Sequence, residues 1–594
     1  MPPDPTDFLT PLTALLRQKP LGNREICLIV PPFHDAETIQ PAIAKARRYM
    51  THIPYGLLCL AAAVHQHLSG WRVRIVDLNT ENLLQAVLEQ PHGYDHLMET
   101  IPTGCALYGV SWMFVSAEQP ALEIMKRLKA RGVFLVAGGV QASFDAESLV
   151  EGWVDLVVKR EAEFTLVRLL ALWESVQTGQ PWVPPTGPDE WVNLVFRHEG
   201  ITHRLPERFQ QPPTLDIREE YRKVNLPDYS RAGAPSVWVR LLAGEEKLFA
   251  NVLNVRGCRA RCTFCQVAEY NGRGVRPRGF EDVAAEIAFL YHEKQVRHIE
   301  WVDDDFLAHP DQALALLQAI AAMRLPDLTF SCINALMASS IDATIAQALD
   351  DAGFRHVGFG VESGSVARLK QLRKPVSLSK VKQVCELLKT RHPRIWIHAN
   401  FMLGYPDETI GELLNTFEYA RRLQIDWCAC TVLIPLQNTP IHKELSERQD
   451  EQTTRRLGQR NATLASPGRD LAYQKKSYDD KFAKVIDFRA LDPTKPATRE
   501  EIQQFHVFFT VFVNLLNNVN LGPTGQPERM LRMTEDTLRA YPMDPVSWMI
   551  HAECAKRSND WPRHEWAMGR HRQALADSRF WQEFFELYGV VPWS

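Results

Sequence analysis

The 594-residue chain has no excess of either charge: 67 basic residues stand against 71 acidic ones, a formal net charge of -4. With no basic excess and no acidic tail, a binder that works by neutralising nucleic-acid phosphates is excluded. Long apolar runs are also missing. The stretch GLLCLAAAV, residues 56–64, is far too short to cross a bilayer. The opening MPPDPTDFLTPLTALLRQKP has no basic segment followed by an apolar core, so it does not read as a signal peptide. A cytoplasmic location is the expectation. The hydrophobic share of 45% is that of an ordinary globular protein. A chain this long exceeds one core and implies three or four domains.

A disulfide framework is absent too. The eleven cysteines are odd in number and irregular in spacing. Cys27, Cys59 and Cys105 lie singly in apolar runs, and Cys332, Cys385 and Cys554 are isolated. Cys428 and Cys430 belong to an apolar strand. All eight read as small buried hydrophobes. Cys258, Cys262 and Cys265 differ, because they alone have ligand spacing.

Residues 1–180 alternate between strand and helix patterns. REICLIVPPF, WRVRIVDLN, ALYGVSWMFVS, FLVAGGVQASF and the start of DLVVKREAEF read as strands. IPYGLLCLAAAVHQHLSG and ALEIMKRLKARG are helices that stop at glycine. Such alternation predicts a doubly wound parallel sheet, whose ligands lie beyond the carboxyl ends of the strands. Residues 181–247 are proline-rich and polar, a linker with a few strands. Residues 248–445 alternate again, through FANVLNV, HIEWVDD, LTFSCIN, HVGFGVE, IWIHANFML and WCACTVLIP. This predicts a parallel β/α barrel or partial barrel. Residues 446–594 begin with the polar ERQDEQTTRRLGQRN and continue with helical patterns that concentrate Trp548, Trp561, Trp566, Trp581 and Trp593.

The segment Asn254-Val-Arg-Gly-Cys258-Arg-Ala-Arg-Cys262-Thr-Phe-Cys265 follows the first strand of the second block. Thiolates favour soft metals and iron–sulfur clusters. Three of them can hold three irons of a [4Fe–4S] cube and leave the fourth open to a bidentate ligand. A structural zinc site needs four ligands, and no fourth cysteine or histidine has suitable local spacing.

With Phe264 before the last cysteine, the segment resembles the CxxxCxΦC loop of the radical S-adenosylmethionine (SAM) superfamily. The likeness extends over about residues 250–445. It implies that Asp303 and Asp304 lie where the family contacts the SAM amine, although the usual Gly-Gly-Glu is absent. The alternative for these aspartates is a solvated strand end capping the next helix. Gly358-Phe-Gly360-Val-Glu362-Ser363-Gly364-Ser365 resembles the GxESG segment, which implies that Glu362 and Ser363 serve the SAM ribose. His398-Ala-Asn400-Phe-Met-Leu-Gly404-Tyr405-Pro406 resembles a later strand and turn of the family, with Asn400 on the SAM side and Asp407-Glu408-Thr409 starting a helix. His398 can equally be a core histidine.

The first block resembles the cobalamin-binding domain that precedes many such barrels. The likeness rests on Pro54-Tyr55-Gly56, Gly109-Val110-Ser111, Ala137-Gly138-Gly139-Val140 and Asp155 to Glu163. It implies that Tyr55, Gly56, Ser111, Gly138 and Gly139 approach the corrin. Two departures stand out. Arg160 and Ala162 occupy positions that are glycine in a Gly-Glu-Gly-Glu stretch, and the DxHxxG element that supplies a histidine to cobalt is missing. The resemblance implies a [4Fe–4S] cluster, SAM and cobalamin as cofactors, with an electron donor of the flavodoxin or ferredoxin type. It implies radical methylation of an unactivated carbon in a small-molecule or lipid substrate. The alternatives are oxidative cyclisation of a tetrapyrrole, or a non-catalytic cobalamin-binding scaffold. The C-terminal helices are expected to cover the open barrel, or else to bury their aromatics as plain helix core.

Overall fold

A computed structural model describes residues 8–182, 191–209, 214–244, 246–272, 274–448, 478–523 and 525–592. Trp593 and most of the polar stretch after residue 446 lie outside these. No helix among the described residues is long and apolar enough to cross a membrane. The chain forms two compact units. One contains Met1–Pro235, Glu245–Cys258 and Gln266–Arg297; the other contains Ser236–Gly244, Arg259–Cys265 and His298–Ser594.

The first unit holds a seven-stranded sheet. Its strands are β1 (Glu25–Val30), β2 (Arg72–Asp77), β3 (Leu107–Ser111), β4 (Leu135–Gly138), β5 (Leu156–Val158), β6 (Leu194–His198) and β7 (Ile201–Arg204), in the order β2-β1-β3-β4-β5-β6-β7. The first five are parallel. Every residue of β1 is buried, as expected of a central strand covered on both faces, whereas the edge strand β2 is partly exposed. The stretch expected to be a linker supplies β6 and β7, which extend the sheet antiparallel. The few strands expected there are thus part of the first sheet, β6 through its buried Leu194, Val195 and Phe196, and β7 as the half-exposed edge. The unit also contains β8 (Leu248–Val252) and the short antiparallel pair β9 (Val255–Arg256) and β10 (Arg276–Pro277).

The second unit is built on parallel strands β11 (Val296–Trp301), β12 (Thr329–Leu336), β13 (Phe354–Glu362), β14 (Trp396–Leu403) and β15 (Trp427–Val432). β11 begins at the end of the first unit and enters the second at His298. Alternation sorts the side chains onto two faces. Ile299, Trp301, Phe330, Cys332, Val357, Phe359, Ile397, Ala399, Phe401, Cys428 and Cys430 give an apolar, buried face. The other face carries His298, Glu300, Ser331, His356, His398 and Asn400. The fold class is therefore the expected one, a doubly wound α/β sheet followed by a parallel β/α sheet and a helical C-terminus.

The C-terminal helices seal an edge. β15 is the last strand, and an unpaired strand exposes orphan backbone groups. Asn514 Oδ1 accepts the Cys428 N–H at 2.6 Å, and its Nδ2 donates to the Cys428 carbonyl at 2.8 Å. His506 Nε2 donates to the Cys430 carbonyl at 2.9 Å, and Asn518 Nδ2 to that of Asp426 at 2.8 Å. The helix Arg499–Phe509 continues into wider π-type turns over Thr510–Leu516, which carry Asn514. The expected tryptophans divide: Trp548 and Trp581 are buried, but Trp561 and Trp566 are exposed. Cys105 is half-buried, so of the eight hydrophobe-like cysteines it alone lies outside the core.

Replacing Asn514 by Ala leaves the Cys428 amide and carbonyl buried without partners, a cost of about 2–3 kcal/mol. Urea unfolding followed by tryptophan fluorescence should show a lower midpoint for this variant, and an unchanged midpoint would refute the edge-sealing role.

Candidate functional site

The division between units falls within the cysteine loop, with Cys258 closing a stretch of the first unit and Arg259–Cys265 belonging to the second. The second-unit part is held at several points. Arg259 Nε pairs with the buried Asp305 at 2.9 Å, and its Nη2 donates to Ser340 Oγ at 2.6 Å. The Thr263 N–H donates to the Leu372 carbonyl at 2.9 Å, and the Thr263 carbonyl accepts from Ile441 at 3.0 Å. Phe264 packs against Leu372, Tyr405, Leu433, Ile441 and Leu445. The aromatic beside the last cysteine is thus an anchor for the loop. Cys262 is buried and Cys265 half-buried.

Among the described residues, no three His, Cys, Asp or Glu side chains gather as ligands of one ion. In a cubane each thiolate takes a different iron, and the all-thiol donor set of this loop fits that group.

Glu362 ends β13 in a strained turn. Its φ is +72°, rare for a residue with a side chain, and the Ser363 N–H bonds back to the Val361 carbonyl at 3.0 Å. This is the γ-turn of positive φ, the more strained of the two kinds. A bulge in the β13–β14 register falls at the same place, between Gly360 and Glu362. The carboxylate is buried and accepts from Lys374 Nζ at 2.8 Å. Strain held at a strand end by a bulge and an ion pair marks Glu362 as positioned.

Ser363 is fully buried, its Oγ accepts the Ser365 N–H at 3.1 Å and lies 3.3 Å from Thr416 Oγ1. The hydroxyl shapes the turn. Gly364 is needed for packing, because a Cβ there would lie 2.6 Å from the Asn415 carbonyl oxygen. Asp303 is buried and Asp304 half-buried, so a solvated strand end does not describe the pair. Neither caps the next helix, whose N-cap is His309. Asn400 is half-buried on the polar face, and Thr409 starts the helix Ile410–Ala420 with a capping box to Glu412.

Below these groups the polar face carries an array that the sequence pattern did not disclose. His356 and His398 stack with centroids 4.8 Å apart, and His356 Nε2 lies 2.6 Å from His398 Nδ1. Trp238, from the helix Val237–Ala243, stacks on His356 at 4.1 Å. Gly358 makes room for the pair: a Cβ there would lie 2.2 Å from His398 Cε1. Burial pushes the His398 pKa down to about 4, and burial with His398 and His298 lowers that of His356. Both rings are neutral. His298 Nε2 meets Ser331 Oγ at 2.8 Å, and Ser331 donates to Glu300. Glu300 also accepts the Ile333 N–H at 3.0 Å, and burial raises its pKa to about 7.

In the first unit, the parallel order β2-β1-β3-β4-β5 reverses between β1 and β3. In open sheets of this kind, ligands lie beyond the carboxyl ends of the strands at such a switch point. Ser111 ends β3 and is half-buried, followed by Trp112, the exposed Met113 and Phe114. Phe33, after β1, packs edge-on to Phe114 at 4.9 Å. These neutral side chains fit an uncharged macrocycle face. Gly56 is exposed with open space where a side chain would lie. Gly139 has a φ of +99°, and a Cβ there would lie 2.6 Å from the Trp112 carbonyl oxygen, so its glycine serves the chain's own packing. Gly138 is unstrained and meets only the Val158 carbonyl, at 3.5 Å. The buried Tyr55 hydroxyl donates to Glu286 at 3.2 Å and accepts from Arg278 at 2.6 Å. Arg160, at a position where the resemblance implied glycine, has a glycine-like φ of +60° and donates to the Glu269 and Tyr270 carbonyls at 2.8 and 2.7 Å.

The description "Radical SAM superfamily" matches residues 254–420. An uncharacterized methyltransferase of Pyrococcus horikoshii is 25% identical over 425 residues, covering 70% of this chain and 82% of the relative. The radical SAM methyltransferase TsrM of Kitasatospora setae, solved with cobalamin and a [4Fe–4S] cluster, superposes with a TM-score of 0.54 at 18% identity. That match covers 72% of this chain and 78% of TsrM. The cobalamin-dependent radical enzyme OxsB, solved with aqua-cobalamin and SAM, superposes with a TM-score of 0.52 at 14% identity. It covers 96% of this chain and 82% of OxsB.

Because its folded-state pKa is raised, Glu300 keeps a proton that the unfolded chain releases above pH about 4.5. Its contribution to stability is lost as pH rises toward 7. Glu300→Gln should therefore gain stability relative to wild type between pH 5 and 7.5, by about 3 kcal/mol at most. Paired urea titrations across that range check it, and a pH-independent difference would refute it.

Proposed function

We propose that this chain, whose residues 254–420 match the radical SAM superfamily, is a cobalamin-dependent enzyme that methylates an unactivated carbon of a small-molecule or lipid substrate. The observation that carries this reading is the thiol loop pinned at Thr263 and Phe264 beside the strained Glu362 turn. When bound, the cluster would supply the electron that cleaves SAM, and the corrin would carry the methyl group.

Cys258, Cys262 and Cys265 would hold the cluster through their thiolates. Glu362 would accept hydrogen bonds from the ribose hydroxyls, with its direction fixed by the γ-turn rather than by side-chain flexibility. Asn400 offers a neutral carboxamide from the adjacent strand, in register with Gly360. Asp304, the more accessible of the aspartate pair, faces a SAM amine more readily than Asp303. Ser111, Gly56 and Gly138 would border the corrin, and Gly139 would hold the turn that lets them do so. The electron would come from an external donor of the flavodoxin or ferredoxin type. Phe264, Tyr405 and Leu433 would keep water from the loop.

The test is anaerobic purification with spectra for cluster and corrin, followed by analysis of SAM products under reductant. Methyl transfer yields S-adenosylhomocysteine together with 5′-deoxyadenosine, whereas cyclisation yields no S-adenosylhomocysteine. Ala in place of Cys262 should abolish cluster absorbance and 5′-deoxyadenosine while leaving corrin binding intact. A chain that binds corrin but never cleaves SAM would instead be a scaffold.

A further inference from the structure

The loop after the helix Val366–Gln371 brings a cation to the cysteines. The Leu372 carbonyl holds the Thr263 N–H at 2.9 Å, and its side chain packs on Phe264. Two residues later, Lys374 reaches Glu362 with its Nζ 2.8 Å from Oε1. Its backbone N–H donates to the Leu369 carbonyl at 3.0 Å, and its carbonyl accepts from Val376 at 2.9 Å, so the loop is fixed on both sides. The lysine side chain is only 16% exposed. Burial works against its charge, but Glu362 and then Cys262 and Cys265 outweigh that and keep it protonated.

We propose that Lys374 is a positioning residue with two partners, orienting Glu362 and placing a fixed positive charge beside the Cys262 and Cys265 thiolates of the cluster. This rests on the cluster assignment made above. A cluster that takes up one electron becomes more negative by one charge, and a nearby fixed cation attracts the reduced form more strongly than the oxidised one. Lys374 therefore makes the cluster easier to reduce. Glu362, drawn toward ribose hydroxyls, would leave more of that positive charge to the sulfurs. The lysine thus links occupancy of the ribose contact to the ease of reduction.

The test is a redox titration of the reconstituted cluster in the absence of SAM, read by the electron paramagnetic resonance of the reduced state. Iron and sulfide content are measured alongside. Lys374→Gln, which can still donate to Glu362 but carries no charge, should hold wild-type iron. At a fixed applied potential its reduced-to-oxidised ratio should fall at least tenfold, about 59 mV for a one-electron couple. Lys374→Arg should bring the ratio back to within threefold of wild type. An unmoved ratio in the Gln variant at full iron content overturns the inference. So does loss of iron in both variants, which would make Lys374 a folding element of the loop. If the wild-type chain itself takes up no cluster, the proposed function fails instead, so the two failures are distinguishable.

Discussion

The second unit's site depends on holding a short thiol-bearing loop that has no regular structure of its own. Ordering each residue of such a loop costs about 1–2 kcal/mol of backbone entropy. Two backbone hydrogen bonds at Thr263 and the packing of Phe264 oppose that cost. Each contributes on the order of 1–2 kcal/mol. The Arg259–Asp305 pair adds a third restraint at the start of the loop. The partners come from six separate stretches of chain, around Asp305, Ser340, Leu372, Tyr405, Leu433 and Ile441. The loop is therefore shaped only once the strands and their connections are assembled, and this couples the thiols to the fold of the whole unit.

What the sequence disclosed follows from periodicity. In WIHANFML, alternate residues Ile397, Ala399, Phe401 and Leu403 are apolar, so the strand and its buried face were legible. The positions of Cys262, Cys265 and Glu362 were legible because their spacing follows from a local turn or strand end. What escaped depends on register between strands or on connections. Gly358 clears space for His398 only because β13 and β14 pair these two residues. Lys374 has no motif around it and gains its meaning from meeting Glu362. Tyr55 and Ser363 looked like ligand contacts because they sit at element ends, yet the folded chain uses both hydroxyls internally. The strands of the linker were expected, but their joining the first sheet through β5–β6 was not, because that pairing depends on register between strands.

Arg160 shows how a departure from a pattern can preserve the backbone. A positive φ normally selects glycine, since a Cβ clashes in the left-handed region. Here arginine holds that φ, and the cost of about 1 kcal/mol is offset by its two hydrogen bonds to the end of the helix Val267–Asn271. The side chain thus replaces conformational freedom with a tether, one that runs to the segment just after the cysteine loop.

The buried ionisable groups of the second unit divide by charge state, and the division is spatial. Lys374, paired with Glu362, stays charged because the pairing outweighs its burial. Asp426 also stays charged, because Lys389 and Arg529 outweigh its burial. Along the polar face of the strands the opposite holds. His356 and His398 are neutral, and Glu300, with a pKa near 7, keeps its proton over much of the acidic range. Desolvation wins wherever no counter-ion reaches. Fixed charge is thereby placed at opposite ends of the parallel strands, at Glu362 where β13 ends and at Asp426 just before β15 begins, while the polar face between them stays close to neutral. The neutral face adds no fixed charge of its own, so Lys374 acts on Cys262 and Cys265 together with Glu362 and the Arg259–Asp305 pair that anchors the loop.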